Sequence, residues 1–301
     1  MPLCATTMLW TDGFIATDWG TTNRRAYRID GSGECCGEFE DDQGILSVPA
    51  GGFPEAVAEI RARLGDLPLL LAGMIGSNKG WQEARYVAAP AGLDDLVRAL
   101  VWAGEREAIV PGVSFQGEGR ADVMRGEEVQ LLGAVAAGSV PADALVCHPG
   151  THNKWAKVGG GRIAAFRTVM TGELFNLLKC HSILADLLKR EVEPDKAFAR
   201  GAHHGLSEND VPSDLFAVRA RVLLGEAKPE DASSYTSGLL IGSDVRIGLG
   251  DAADRQIYVM GRPELTRLYA AAIREAGREP IELDGEQSFL SGIREIAKRM
   301  G

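Results

Sequence analysis

With 301 residues the chain is long enough to bury two cores of ordinary domain size. At 45% hydrophobic and 25% charged it has the composition of a globular protein and not of a low-complexity or fibrous one. The net charge of −10 excludes a protein that works through a broad positive surface, so neither nucleic acid nor an anionic membrane is an expected partner.

Met1 to Asp12 has no basic start and no unbroken apolar run, so no leader is expected there. No later stretch approaches the roughly 20 apolar residues of a membrane helix. Cys4, Cys35, Cys36, Cys147 and Cys180 form no CxxC pair and are odd in number. A reduced, cytoplasmic protein without a disulfide framework or zinc site is the expectation.

Phe14 to Thr17 reads as a short strand, followed by the loop Asp18-Trp19-Gly20-Thr21-Thr22-Asn23 and a second strand from Arg25 to Ile29. The turn Asp30-Gly31-Ser32-Gly33 leads to a third strand near Glu38 to Glu40, giving an antiparallel meander. Pro54 opens a helix with Val57, Ile60 and Leu64 on one face, ended by Gly65. The strand Leu69 to Ala72 and the loop Gly73-Met74-Ile75-Gly76-Ser77-Asn78 follow. A helix from Leu93 to Trp102 and a strand from Ala108 to Val110 complete an α/β unit. A helix is expected over Gly126 to Ala137, linking the two halves.

The same grammar then restarts. Ala144 to Cys147 is a strand, His148-Pro149-Gly150-Thr151-His152-Asn153-Lys154 a loop, Trp155 to Val158 a strand, Gly159-Gly160-Gly161 a turn, and Ile163 to Val169 a strand. Two Gly-Thr loops in corresponding places point to duplicated domains. Residues 201–213, rich in Gly and Pro, read as a loop carrying solvated His203 and His204. Gly238 to Gly242 reads as helix packing, and Ser288 to Met300 as a terminal helix with Phe289, Ile293, Ile296 and Ala297 on one face.

Asp18-x-Gly20-Thr21-Thr22 is the sharpest local signal. Backbone N–H groups in a tight turn face an anion, glycine permits close approach, and Thr21 and Thr22 add neutral donors. The Asp18 carboxylate suits Mg²⁺, which keeps most of its water. An ordinary Asx-type hairpin accounts for the same residues equally well. The second loop offers Gly150, Thr151, His152, Asn153 and Lys154 to phosphate oxygens but lacks the leading acid. His148 and His152 have no third ligand in view, so hydrogen bonding is their expected role. Glu127 and Glu128 follow Gly126 directly, where a carboxylate takes a proton from an attacking hydroxyl; acids in a first helical turn are equally explained by the helix dipole. Asp122 is a further candidate. Met260-Gly261-Arg262, at a strand–helix junction, presents backbone to an adenosine.

In this order the pieces resemble the actin/hexokinase/heat-shock-chaperone superfamily: a first phosphate loop, a connecting helix, a second phosphate loop and an adenosine motif. More narrowly, the segments Asp18 to Arg25, Gly73 to Ser77, Trp81-x-Glu83, Val123 to Glu128, Pro149 to Trp155, Thr171 to Phe175 and His181 to Leu184 resemble the 2-dehydro-3-deoxygalactonate kinase family. The resemblance implies two similar ribonuclease-H-like, actin-like α/β domains around a nucleotide cleft. Residues 1–125 then form a sugar- and phosphate-loop domain on which helix 287–301 packs back, and residues 126–286 the nucleotide-binding domain. It implies ATP and Mg²⁺, with Asp18 toward the metal and Gly20, Thr21, Thr22 and Gly150 to Lys154 toward the phosphates. Met260, Gly261 and Arg262 go to adenosine, and Glu127 or Glu128 is the base. Met74, Ser77, Asn78 and Arg85, with Lys79, go to the sugar acid. Arg262 stands where a second glycine is usual in the superfamily.

The implied reaction is phosphoryl transfer from ATP to the terminal 6-hydroxyl of 2-dehydro-3-deoxy-D-galactonate. Its rivals are a kinase of another sugar or sugar acid, an exopolyphosphatase-like phosphoanhydride hydrolase, and a non-catalytic ATP-binding module. The sequence leaves open a homo-oligomer and the preferred epimer.

Overall fold

The computed structural model describes residues 10, 12–117, 119–208, 210–250 and 255–300, so Cys4 and most of the stretch inspected for a leader lie outside the described residues. The chain divides into two compact units. One comprises residues 1–142, 159–165 and 286–301, the other residues 143–158 and 166–285.

In the first unit the expected meander is β1 (Gly13–Trp19), β2 (Arg24–Asp30) and β3 (Cys35–Asp41). Strands β1 and β2 pair from Gly13↔Asp30 to Trp19↔Arg24, which leaves residues 20–23 as the hairpin tip. The helix α1 (Phe53–Leu64) buries Phe53, Val57, Ile60 and Leu64 along one stripe, with Pro54 in its first turn. It carries the chain back so that β4 (Leu69–Gly73) runs parallel to β1, Ile15↔Leu69 through Trp19↔Gly73. Strand β4 is buried throughout, as its unbroken leucine run requires. Next come β5 (Val87–Ala88), α2 (Leu93–Arg98), β6 (Val101–Trp102), β7 (Glu107–Ile109), β8 (Val113–Gly117), β9 (Arg120–Met124) and α3 (Glu127–Ala136). The main sheet has the order β3-β2-β1-β4-β7-β6.

The helix expected from Leu93 to Trp102 stops at Arg98. Val101 and Trp102 instead pair antiparallel with Ile109 and Ala108, where a β-branched and an aromatic residue fit an edge strand.

The second unit opens with β10 (Ala144–His148), β11 (Asn153–Gly159) and β12 (Arg162–Val169). The helices α4 (Thr171–His181), α5 (Lys196–Ser207), α6 (Val211–Leu223) and α7 (Ala232–Leu249) follow, then β13 (Ile257–Gly261), α8 (Pro263–Glu275) and β14 (Pro280–Asp284). The sheet order is β12-β11-β10-β13-β14, with β13 parallel to β10 and β14 parallel to β13. In both sheets a three-strand meander is joined, on the far side of its first strand, by a strand running parallel to that first strand. This is the ribonuclease-H-like order that the resemblance implies, present twice as the repeated grammar suggests.

The loop expected over residues 201–213 is instead helix. Most of it belongs to α5 and the start of α6, and His203 and His204 lie on α5. His204 is not simply solvated: its Nδ1 lies 2.7 Å from the Tyr235 hydroxyl and its Nε2 3.3 Å from Asp214. The glycines that suggested a loop form a seam with α7. A Cβ on Gly201 or Gly205 would lie 2.1 Å from the carbonyl oxygen of Tyr235 or Leu239, and one on Gly238 or Gly242 would lie 2.2 Å from that of Phe198 or Ala202.

The last helix, α9 (Gly285–Arg299), packs against α3 in the first unit. A Cβ on Gly292 would lie 2.0 Å from Val129 O, and one on Gly133 2.1 Å from Ser288 O. Gly292→Ala is therefore expected to force the helices apart and destabilise the protein. The overpacking cost of about 1–3 kcal/mol exceeds the roughly 0.5–1 kcal/mol gained in helix propensity. Urea unfolding measures it, and an unchanged midpoint would refute so close a crossing.

Candidate active site

The first unit brings several of the expected residues together at the ends of β1 and β4. Asp18 is half-buried, one residue before the end of β1. Beyond it, Gly20 N–H donates to Asn23 O at 2.9 Å and closes the hairpin. The loop's carbonyls are held from behind: Gly20 O accepts from Ile45 N–H, Thr21 O from Leu46 N–H and Thr22 O from Gly44 N–H, at 3.0–3.3 Å. Thr21, Thr22 and Asn23 are left exposed on the other side, with the Thr22 hydroxyl donating to Asn23 Oδ1 at 2.7 Å. Gly44, unremarked in the sequence, permits this backing, since a Cβ there would lie 2.3 Å from Thr21 O.

Two glycines in the left-handed region close the group. Gly73, at φ +92°, ends β4; a Cβ there would lie 2.8 Å from Trp19 O and 3.3 Å from Asp18 Oδ1. Gly126, at φ +108°, starts α3; a Cβ there would lie 3.3 Å from Gly73 Cα and 4.0 Å from Asp18 Oδ1. The acid of the first loop, the start of the 73–78 loop and the start of the Glu127 helix thus meet at one point.

Glu127 and Glu128 differ sharply in environment. Glu127 is half-buried, and its Oε2 accepts from Arg125 N–H at 3.0 Å. Glu128 has no exposed surface, and both its oxygens accept from Gly126 N–H, at 2.9 and 2.7 Å. Burial, reinforced by the neighbouring Glu127 carboxylate, pushes the Glu128 carboxyl up from its ordinary range to about 8. Asp122 lies on β9, with Oδ1 accepting from Val123 N–H at 2.8 Å.

In the 73–78 loop a 3₁₀ turn covers Met74–Gly76. Ser77 is buried, and its hydroxyl accepts from Lys79 N–H at 3.3 Å. Met74 is half-buried, while Asn78, Lys79 and Arg85 are exposed. A cation without a role in the sequence reading lies against this turn. Arg125 donates from Nη2 to Ala84 O at 2.8 Å and stacks its guanidinium 4.4 Å from the centre of the Tyr86 ring. A Cβ on Gly76 would be 2.9 Å from Arg125 Nη1. Among the described residues, Nε and Nη1 of Arg125 have no hydrogen-bond partner. Its position directly before Gly126-Glu127 was the available signal.

In the second unit the Gly150–Lys154 loop is braced by the first turn of α4. Glu173 N–H donates to Thr151 O at 3.0 Å, and the Glu173 carboxylate meets His152 Nε2 at 2.5 Å. Gly172 permits the approach, because a Cβ there would lie 2.6 Å from Gly150 O. His152 is thus a hydrogen-bonding residue, as expected. A Cβ on Gly150 would meet nothing within 4 Å, and Thr151 is exposed, so the loop's outer side is open. Asn153 and Lys154 are buried, and Lys154 Nζ donates to His152 O at 3.2 Å. The adenosine candidates lie alongside: Met260 is buried, and a Cβ on Gly261 would lie 3.3 Å from Pro149 O. Arg262 is exposed and caps α8 ahead of Pro263.

Residues 18–296 match the family model described as 2-keto-3-deoxy-galactonokinase. The chain is 35% identical over 291 residues to the 2-dehydro-3-deoxygalactonokinase of Escherichia coli K12, covering 95% of this chain and 98% of that one. A Sinorhizobium meliloti crystal structure assigned as a 2-dehydro-3-deoxygalactonokinase superposes with a TM-score of 0.89 at 30% identity, over 95% of this chain and 98% of that one. Component A of the Acidaminococcus fermentans (R)-2-hydroxyglutaryl-CoA dehydratase, at 12% identity and a TM-score of 0.54 over 96% and 98% of the two chains, shares the fold alone. The fold is the mixed α/β, actin-like one that the repeated strand order implies, and the chain belongs to the 2-keto-3-deoxy-galactonokinase family.

Proposed function

We propose that the protein transfers the γ-phosphoryl group of ATP to the 6-hydroxyl of 2-dehydro-3-deoxy-D-galactonate. The observation that carries this reading is the meeting of Asp18, Gly73 and Gly126 at one point, next to family membership over almost the whole chain. A phosphoryl transfer to an alcohol needs an anion-binding turn, an acceptor site and a carboxylate base within a few ångströms of one another.

Thr21 and Thr22 present hydroxyls and backbone to phosphate oxygens, while the bonds from residues 44–46 keep the loop's carbonyls turned away from the anion. The Gly150–Lys154 loop binds phosphate in the same manner, with Met260, Gly261 and Arg262 toward the adenosine. Among the described residues no cluster of three or more metal-ligating side chains occurs, but Mg²⁺ shared with phosphates needs only a carboxylate and water. Asp18 fits that donor set and would hold the ion, which supplies neutralisation of phosphate charge when bound.

Glu127 is the base in this reading. It is the accessible one of the pair, and it accepts the hydroxyl proton as the alcohol oxygen attacks phosphorus. Glu128, without exposed surface, shapes the start of α3 through Gly126 N–H. Met74, Ser77 and Asn78 contact the sugar acid, whose carboxylate is drawn to Arg85 and Lys79, with Arg125 behind the turn as further positive charge.

The test is a coupled ADP-release assay with MgATP, the galactonate-series acid, its gluconate epimer and a no-sugar control. ADP that depends on the galactonate-series acid, with less from the epimer, is expected. ADP released equally without sugar would overturn the reading in favour of a hydrolase, and turnover preferring the epimer would move the substrate assignment.

A further inference from the structure

Asp244, on α7, is a carboxylate with 1% of its surface exposed, and no part of the proposed chemistry touches it. Its surroundings are unusually rich in donors. Asn153 Nδ2 lies 3.0 Å from both carboxylate oxygens, and Trp155 Nε1 donates to Oδ1 at 2.7 Å. The hydroxyls of Thr171 and Tyr269 donate to Oδ2, each at 2.5 Å. Cys147 Sγ completes the network at 3.5 Å from Asn153 Oδ1, which fixes the orientation of the Asn153 amide.

These donors come from the Gly150–Lys154 loop and β11, from the first residue of α4 and from α8. One buried carboxyl group therefore ties together the loop, the helix that braces it and the helix that follows the adenosine candidates. A carboxylate buried only to stabilise a core is an expensive device, because apolar packing of the same volume often serves as well. Satisfied on all sides, it instead specifies one geometry.

Asn153 joins the loop to this anchor from below, while Glu173 holds Thr151 and His152 from the side. The loop's backbone is thus set before any ligand arrives, and a preorganised anion site avoids the cost of ordering on binding. Resting on the function proposed above, we propose that Asp244 is a positioning residue for the nucleotide: it holds the Gly150–Lys154 loop in its phosphate-accepting form and has no part in acceptor binding. In Asp244→Asn an amide N–H₂ replaces one acceptor oxygen, so Asn153 Nδ2 keeps one acceptor in place of two and the Thr171 and Tyr269 hydroxyls must turn from donating to accepting.

The test compares wild type with Asp244→Asn, Tyr269→Phe and Thr171→Val, the last two each removing one donor from an otherwise intact network. Folding is checked by circular dichroism, and MgADP affinity is measured by calorimetric titration without sugar. Asp244→Asn is expected to raise Kd for MgADP and KM for ATP roughly tenfold or more, with KM for the sugar acid within about twofold, since ångström-scale misplacement costs up to about 100-fold. The single-donor variants are expected to move the same two quantities in the same direction by a smaller factor, and they carry the test if Asp244→Asn does not fold. A merely structural role would lower Tm while leaving nucleotide affinity unchanged in the folded variants, and that result overturns the proposal, as does a parallel rise in both KM values. If wild type proves inactive on the sugar acid, the kinase reading fails and the MgADP titrations still decide the role of Asp244.

Discussion

Glu127→Gln is expected to lower kcat for sugar-acid phosphorylation by about 100- to 10,000-fold, the range contributed by a positioned general base. Glutamine keeps the length and a hydrogen-bonding oxygen, so Arg125 N–H retains its acceptor and KM for ATP stays near the wild-type value. A fall in kcat with both KM values preserved is the mark of an interaction made in the transition state. Full turnover in Glu127→Gln together with collapse in Glu128→Gln would transfer the role to the buried residue.

Glu128→Gln is expected to change stability more than turnover, in a way set by pH. The Glu128 carboxyl is pushed up to about 8 in the folded protein, against an ordinary value near 4.5. The folded state therefore holds this proton more tightly than the unfolded chain, and ionisation works against folding. The cost is absent below about pH 4.5, grows as pH rises toward 8 and is constant above that. At about 1.4 kcal/mol per pKa unit it is on the order of 3 kcal/mol at pH 7. Glutamine has no proton to lose, so the variant escapes this slope. It takes instead a pH-independent penalty of about 1–3 kcal/mol for a buried amide beside Gly126 N–H. Denaturant unfolding of both proteins at pH 5, 6.5 and 8 is expected to show the variant gaining on wild type by a few kcal/mol across the series. Parallel curves would show that Glu128 is not held protonated by its burial.

The features legible in the sequence are those written in local patterns. The two Gly-Thr hairpins, the leucine run of β4, the Pro54 helix and the small-residue packing at Gly238 to Gly242 all rest on spacing within one segment, and the structure contains them. The errors came where a distant partner decides. Gly201 and Gly205 have low helix propensity and read as a loop, yet the backbone of α7, more than 30 residues away, makes glycine the fitting residue there. Val101 and Trp102 read as the end of a helix because their strand partners, Ile109 and Ala108, lie beyond an intervening turn. In the site, Asp18 and Gly126 could be named from motif, but their meeting at Gly73 required the parallel pairing of β1 with β4. Asp244 could not be found at all, since its donors lie 73, 89 and 91 residues before it on one side and 25 after it on the other. Nor does any local pattern separate Glu127 from Glu128, as adjacent residues of one helix turn acquire opposite environments only through packing.

The glycine seam between α5 and α7 works as a ratchet with a single notch. Each of the four glycines lies against one carbonyl oxygen of the facing helix, at a separation no Cβ could tolerate. A slide of one residue, about 1.5 Å along the axis, would bring Leu239 or Ser243 to positions that only glycine can occupy. The axial setting of α7 is thus discrete, and Asp244, two residues beyond Gly242, inherits it. A side chain that must meet four donors within hydrogen-bonding distance is placed by the close backbone approach of four glycines.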